Sequence, residues 1–324
     1  MRGRSHGCGR GFRGRYRYGP PGVGCGEDDP VGCRAVWRIG VTDTDPGVYR
    51  DPPAALVPIV AAGFDASAEE YEDAVLANLR GIVRLVAALP DGEHTRLLDV
   101  GCGTGWATLA AAKRFSIHEA IGVDPSHEML EEFRHKLTAH PEIAVEIEDA
   151  TAAGMQVEPA SVDLALSTMT LHWIPDRKGA VAAMARALRP GGLLGLLAPA
   201  AGSDHALYEA MRSIDPPVPP EWLEVEHRFY VPEQELEDAL CRTDLEIIDI
   251  WVEERRRHVP PEQLIARVLA VGHDVLLKTP GYDENELADR WDDTVAALKA
   301  ATGPRGFEYT FRKVFAVARR ARSG

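Results

Sequence analysis

Apolar positions along this chain follow two periods. Behind Ser67 and Glu70, spaced as a capping box, Tyr71, Val75, Leu79, Ile82, Val83 and Val86 recur at helical spacing. Pro90-Asp91-Gly92 then predicts a turn. Short continuous apolar runs follow, at Arg96–Val100, Glu119–Val123, Ile143–Glu148, Val162–Ser167 and Leu193–Leu197, and each reads as a buried strand. The segments between them predict helices at Trp106–Arg114, from Ser126 to about Leu137, and at Arg177–Leu188. Repeated strand-helix units of this length predict an α/β fold, a doubly wound and mostly parallel sheet with helices on both faces.

The two ends of the chain read differently. Residues 1–50 alternate arginine with glycine and carry no periodic apolar face, so a disordered leader is expected there. The leader could also be an Arg/Gly-rich nucleic-acid tail. Residues 51–200 are expected to form the core with its N-terminal helix. Residues 201–324 are expected to supply helical lid segments and two last strands, Leu245–Val252 and Tyr309–Ala318, which complete the same sheet. One of those helical segments is expected around Leu264, Ile265, Val268, Leu269 and Leu276.

Composition narrows the classes. A chain of 324 residues with 45% hydrophobic and 27% charged positions can bury a sizeable core. The formal net charge of -14 argues against broad nucleic-acid binding, which needs clustered Lys and Arg. Cys8, Cys25, Cys33, Cys102 and Cys241 form neither a Cys-x-x-Cys pair nor a zinc spacing, so no metal site is expected and a reducing, cytoplasmic setting fits. No apolar run approaches the ~20 residues that span a bilayer. A small-molecule substrate, no membrane or nucleic-acid partner, and a monomer or homodimer are expected.

The chemistry centres on Leu97-Leu98-Asp99-Val100-Gly101-Cys102-Gly103-Thr104-Gly105, a strand that runs into a glycine-rich turn and then a helix. Glycines there allow close backbone approach, and the helix start offers free N–H groups. The nicotinamide fingerprint Gly-x-Gly-x-x-Gly is absent, because Trp106 stands where its third glycine belongs. Gly122-Val123-Asp124 puts a carboxylate one strand over, either to accept from ribose hydroxyls or to cap the helix opened by Ser126. Glu148-Asp149-Ala150 ends the third strand, where an acid can accept from an adenine amino group. Met129 could pack beside that ring or belong to the core.

Leu98–Gly105, Gly122–Ser126, Glu148–Ala150 and Leu188-Arg189-Pro190-Gly191-Gly192 together resemble, in order, the motifs of class I S-adenosylmethionine-dependent methyltransferases. The resemblance covers residues 64–200. It implies a seven-stranded sheet with an antiparallel last strand and S-adenosylmethionine as cofactor. It also implies cofactor contacts at Asp99, Gly101, Cys102, Gly103, Gly105, Asp124, Pro125, Met129, Asp149, Ala150, Ser167 and Thr168. A narrower likeness, through Phe64-Asp65 with Tyr71, Thr170–Asp176 and Phe311–Arg320, is to the trans-aconitate and malonyl-carrier-protein methyltransferase group, which usually carries Gln where His172 stands.

Methyl transfer from a sulfonium asks mainly for orientation and for exclusion of water. Tyr71 and Trp173 could stabilise the cation. His172 is the candidate base if the acceptor is a hydroxyl or carbon acid; a carboxylate acceptor needs none. Arg255 and Arg257 could clamp an acidic substrate if the chain stays extended, or belong to a solvated charge run. The competing functions are a nucleotide-cofactor oxidoreductase, which lacks its glycine, a protein that binds the cofactor without transferring methyl, and a nucleic-acid methylase, which lacks an Asn/Asp-Pro-Pro-aromatic motif after the fourth strand.

Overall fold

The computed structural model describes residues 69–150, 152, 154–213, 215, 218, 220, 223, 230–260, 284–302 and 305–322. The expected leader at 1–50 and the helical stretch around Leu264–Leu276 lie outside the described residues.

Helix α1 (Glu69–Ala88) precedes β1 (Arg96–Val100), α2 (Trp106–Arg114), β2 (Glu119–Asp124), α3 (His127–Leu137), β3 (Ala144–Asp149) and β4 (Val162–Thr168). A single 3-10 turn (Leu171–Trp173) leads to α4 (Arg177–Ala187) and β5 (Leu188–Pro199). Then come α5 (His205–Arg212), α6 (Glu233–Cys241), β6 (Leu245–Val259), α7 (Glu284–Ala301) and β7 (Phe307–Arg320). The strands form one seven-stranded sheet of order β3-β2-β1-β4-β5-β7-β6. Pairings among β1 to β5 are parallel, and β7 runs antiparallel to both β5 and β6.

The sheet separates two apolar layers. On one face Leu97, Leu164, Leu166, Leu193 and Leu197 meet α1 and α2. On the other, Leu98, Val100, Ala165, Leu194 and Leu196 meet α4 and α6. Alternation along each strand assigns neighbouring residues to opposite layers. Helix α1 lies close to the sheet because Gly195 stands beneath it: a Cβ there would sit 2.8 Å from Leu166 and 3.4 Å from both Leu85 and Leu89. Further toward its N-terminus, Gly81 stands over Leu197 and Lys313, so α1 runs with its first turns toward the carboxyl edge of the sheet.

β6 and β7 are longer than their apolar patterns predict. Pairing between β5 and β7 stops at Pro199↔Lys313, whereas β6 and β7 remain paired to Val259↔Phe307. A two-stranded arm therefore extends about 20 Å past the carboxyl edge. On it a further apolar cluster gathers Leu207, Tyr208 and Met211 of α5, Trp291 and Leu298 of α7, and Val259, Phe307 and Tyr309 of the arm.

Candidate active site

The glycine loop is fixed from three sides. Gly101 and Cys102 both donate backbone N–H to Val123 O, at 2.7 and 3.1 Å, which ties the loop to the end of β2. Gly103 donates to Asp124 Oδ2 at 2.9 Å. Thr170 Oγ1 lies 3.1 Å from both Gly101 O and Thr168 O and shares its one hydroxyl proton between them, binding the β4 end to the loop.

Glycines 101, 103 and 105 all take the left-handed conformation, with φ of 69°, 50° and 85°. Their surroundings differ. A Cβ on Gly101 would overlap Thr170, and one on Gly105 would overlap the Phe133 ring, but one on Gly103 would meet nothing within 4 Å. The first and third glycines are thus consumed by packing within the protein. The second presents bare backbone to open space.

Asp99 lies beneath the loop, fully buried. Its Oδ2 accepts from Thr108 N–H at 3.1 Å and from the Thr108 hydroxyl at 2.7 Å, so it anchors α2 to β1. Burial pushes its carboxyl up to about 6, against the opposing pull of the two Thr108 bonds. The Cys102 side chain turns into the protein against Leu130 and Phe133, and burial raises its thiol far above the ordinary range. Cys102 therefore reaches the site through its backbone.

Asp124 supports the start of α3 through Ser126 rather than capping it directly. Its Oδ1 accepts from Ser126 N–H at 2.9 Å while Oδ2 holds Gly103, and Ser126 in turn caps α3 by accepting from Met129 N–H at 3.4 Å. A carboxylate offers about four acceptor positions, so two remain for further donors. Pro125 is exposed beside it, and Met129 is 44% exposed at the start of α3 rather than belonging to the core. Asp149 pairs with Asp124 across β2 and β3, and its side chain is outside the described set. The Ala150 amide donates to Asp124 O at 3.3 Å.

At the end of β4, Ser167 and Thr168 diverge. Ser167 is fully buried in the layer that faces α4, and its Oγ has no hydrogen-bond partner among the described residues. Thr168 points to the opposite layer. Met169, with φ of 54°, turns the chain sharply and donates to Leu197 O at 2.7 Å; positive φ in a bulky residue signals strain of about 1–2 kcal/mol. Met169 did not stand out in the sequence, and Thr170 did so only as the start of the Thr170–Asp176 segment, since a local conformation and a cross-loop contact leave no periodic signature.

His172 follows in the 3-10 turn. Burial, reinforced by the Arg177 guanidinium, lowers its imidazole to about 3 and keeps it neutral. Arg177 is itself tied to Leu171 O at 3.2 Å and to Glu235 of α6 at 3.1 Å. The neighbouring Trp173, whose ring centre is 5.0 Å from that of His172, is 58% exposed. Tyr71 lies in the first turn of α1; its side chain is outside the described set. Asp99, the three glycines, Asp124, Ala150, Thr168 and His172 thus gather at the carboxyl edge of four adjacent strands, which is where doubly wound sheets bind ligands.

The strand order, the antiparallel β7 and this loop define a class. Residues 98–196 match the family described as "Methyltransferase domain", and the sheet order with its antiparallel β7 is the arrangement that the resemblance to class I S-adenosylmethionine-dependent methyltransferases implies. The chain is similar to malonyl-[acyl-carrier protein] O-methyltransferase of Dechloromonas aromatica, 29% identical over 67% of this chain and 77% of the relative. It is also similar to trans-aconitate 2-methyltransferase of Variovorax paradoxus, 32% identical over 48% of this chain and 55% of the relative. The chain thus spans little more than half of that second relative. Among solved structures, the YcgJ protein of Bacillus subtilis shares the fold at a TM-score of 0.52 and 20% identity, over 76% of this chain and 99% of that one. The [4+2]-cyclase SpnF shares it at 0.50 and 18%, over 83% and 92%. Among the described residues, no helix is long and apolar enough to cross a membrane.

Proposed function

We propose that the chain moves the methyl group of S-adenosylmethionine to an oxygen of a small acidic molecule. The observation that carries the cofactor's place is Gly103, whose left-handed backbone faces open space between loop anchors that are otherwise closed by side chains. The residues fit an adenosyl ligand. Bare loop backbone suits close approach, the two remaining acceptor positions of Asp124 suit ribose hydroxyls, and exposed Met129 suits a flat ring. Asp149 and Ala150 belong to the same assignment, on the strength of the family resemblance.

The cofactor supplies an electrophilic methyl on a sulfonium that is already a good leaving group. The chain's residues have the remaining tasks of holding, aligning and drying. Alignment of acceptor and donor is worth ~7–11 kcal/mol in well-oriented systems. Thr170 and Met169 set the β4 end against the loop, and the cluster of α5, α7 and the arm serves as a cover that excludes water. His172, whose imidazole burial and Arg177 hold far below the usual range, is a weak proton acceptor and helps to shape the acceptor pocket rather than serving as a base. This favours a carboxylate oxygen over a hydroxyl or carbon acid. The names of the malonyl and trans-aconitate relatives point the same way.

The fold also hosts a cyclase, so binding and transfer need separate tests. Gly103→Ala costs about 1–2 kcal/mol in backbone strain and meets no protein atom. It should fold and bind S-adenosylhomocysteine at least ~10-fold more weakly by calorimetry. Equal affinity would remove the loop from the site. Radiolabelled cofactor incubated with a panel of di- and tricarboxylates should yield a base-labile methyl ester. Binding without label transfer to any acceptor would favour the non-transferring reading.

A further inference from the structure

Lys136, in the last turn of α3, is a buried cation that the proposed chemistry does not use. Its side chain is 13% exposed, although the charged end of a lysine ordinarily sits in water. Three neighbours hold that end. The Nζ donates to Thr104 O at 3.3 Å, lies 4.7 Å from the centre of the Trp106 ring and sits 3.5 Å from Glu132 Oε1, one turn back on the same helix. Two of the three belong to the glycine loop and the start of α2. Burial lowers the ammonium's hold on its proton, and the Glu132 carboxylate works against that.

The role of this cation follows from how α2 begins. In a helix that started at the loop, Thr104 O would accept from the N–H four residues on. That donor, Thr108 N–H, is taken by Asp99 Oδ2 at 3.1 Å. The next bond is in place, with Leu109 N–H on Gly105 O at 3.0 Å. Thr104 O is therefore a helical acceptor whose donor has been diverted, and Lys136 Nζ replaces it from the neighbouring helix. On the other side, Gly105 N–H closes a tight turn on Cys102 O at 2.8 Å, so the Thr104 peptide is held between that turn and the Lys136 bond. Gly103, the bare position of the loop, lies within the turn. Trp106 stands where a dinucleotide loop has its third glycine, and it supplies the aromatic face on which the cation rests.

We infer that Lys136 is a positioning residue: by holding Thr104 O and the Trp106 ring, it keeps the Gly103 turn in the shape that takes the cofactor. The inference rests on the proposed function for placing the cofactor at this loop. Linkage makes the effect reciprocal, so whatever Lys136 adds to cofactor affinity the bound cofactor adds to the Lys136 contact.

The test uses the full chain and S-adenosylhomocysteine. Lys136→Met keeps the length of the stem but removes donor and charge, whereas Lys136→Arg keeps both. Calorimetry should give an affinity about ten-fold weaker in Lys136→Met, the scale of one hydrogen bond to a charged group, and within about three-fold of the parent in Lys136→Arg. In the cofactor-free chain, the Gly105 amide should exchange its hydrogen about ten-fold faster in Lys136→Met alone, with β1, β2 and β4 unchanged. Parent-like affinity or parent-like Gly105 exchange in a folded Lys136→Met overturns the inference. So does faster exchange throughout those strands, or an Lys136→Arg variant as weak as Lys136→Met, since either marks a merely structural role. Acetylation of the unaltered chain, followed by mass spectrometry, needs no variant to fold. Saturating S-adenosylhomocysteine should slow modification of Lys136 about ten-fold relative to the exposed Lys178, and equal rates with and without it overturn the inference. Failure of S-adenosylhomocysteine to bind the unaltered chain would instead overturn the cofactor reading, and Gly105 exchange in the cofactor-free variants would still decide whether Lys136 holds the loop.

Discussion

Asp99 and His172 are buried ionisable groups at one edge of the sheet, and burial moves both toward neutrality in opposite directions on the pH axis. The folded chain holds the Asp99 proton up to about 6 against an ordinary 3.8. Stability tied to that proton is complete below about 3.8 and lost as pH rises through 6, an amount on the order of 3 kcal/mol. Asp99→Asn keeps an acceptor for Thr108 and abolishes the titration. Its urea-unfolding free energy should therefore fall less than the parent's between pH 4 and pH 7.5, by about 2 kcal/mol. Identical profiles would mean that Asp99 carries its charge throughout. His172, lowered from 6.5 to about 3, works the other way: its contribution is complete above 6.5 and lost as pH falls toward 3. A ring with so little proton affinity is a poor base, so His172→Gln should reduce kcat by less than ~10-fold, where removal of a general base costs 10²–10⁴-fold. A loss in that larger range would restore the base role. Asp124 calls for a gentler substitution than alanine, because its carboxylate holds Gly103 and Ser126 in place; Asp124→Asn keeps an oxygen for one of them.

At the level of elements, close approach of α1 to the sheet depends on one missing side chain. In Gly195→Ala the new Cβ would press on Leu166 at 2.8 Å and touch Leu85 and Leu89. Because that layer is already filled, a cost of about 1–3 kcal/mol is expected in chemical denaturation; a neutral result would show that α1 can ride outward freely. The elements themselves were largely legible in the sequence. Helix α2 spans Trp106–Arg114 as its pattern indicates, β2 and β4 each run one residue past their predicted ends, and β3 runs Ala144–Asp149 against an expected Ile143–Glu148. Strand β5 begins at Leu188 rather than Leu193, since Pro190-Gly191-Gly192 is absorbed into an irregular pairing with β4 instead of a separate turn. The outer half of β6, Glu253–Val259, escaped notice because its charged residues Glu253, Glu254, Arg255, Arg256 and Arg257 hide any apolar alternation, whereas β7 was expected from Tyr309 and gains only Phe307 and Glu308 at that end. The glycine turn and the strand-end position of Asp124 were legible because glycine spacing and strand-end acids lie close in sequence. The Thr170–Gly101 contact was not, as it joins residues 69 apart.

For the whole molecule, the distribution of apolar clusters sets what can move separately. The two sheet layers share the strands and must melt together. The third cluster, built by α5, α7 and the arm, shares none of its buried residues with either, and it is attached to the core through the arm and the turn from Ala200 to Asp204. That turn is pinned by Ala200 N–H to Arg312 O at 2.9 Å and Asp204 N–H to Thr310 O at 2.7 Å. Leu298 is fully buried at the centre of this cluster, and truncation to alanine should cost about 2–5 kcal/mol there. Because foldons open independently when few apolar contacts join them, the loss should fall on this cluster alone. Hydrogen exchange in Leu298→Ala is expected to accelerate across α7 and residues 307–312 while β1, β2 and β4 keep their protection. Affinity for S-adenosylhomocysteine should change by less than about two-fold, since the glycine loop and Asp124 stand on the sheet core. If this cluster covers the acceptor as proposed, methyl transfer should fall more than binding, since opening it admits water and loosens alignment of the acceptor. Uniform loss of protection over the whole sheet, with cofactor affinity falling in step, would show instead that the third cluster and the sheet core are one cooperative unit.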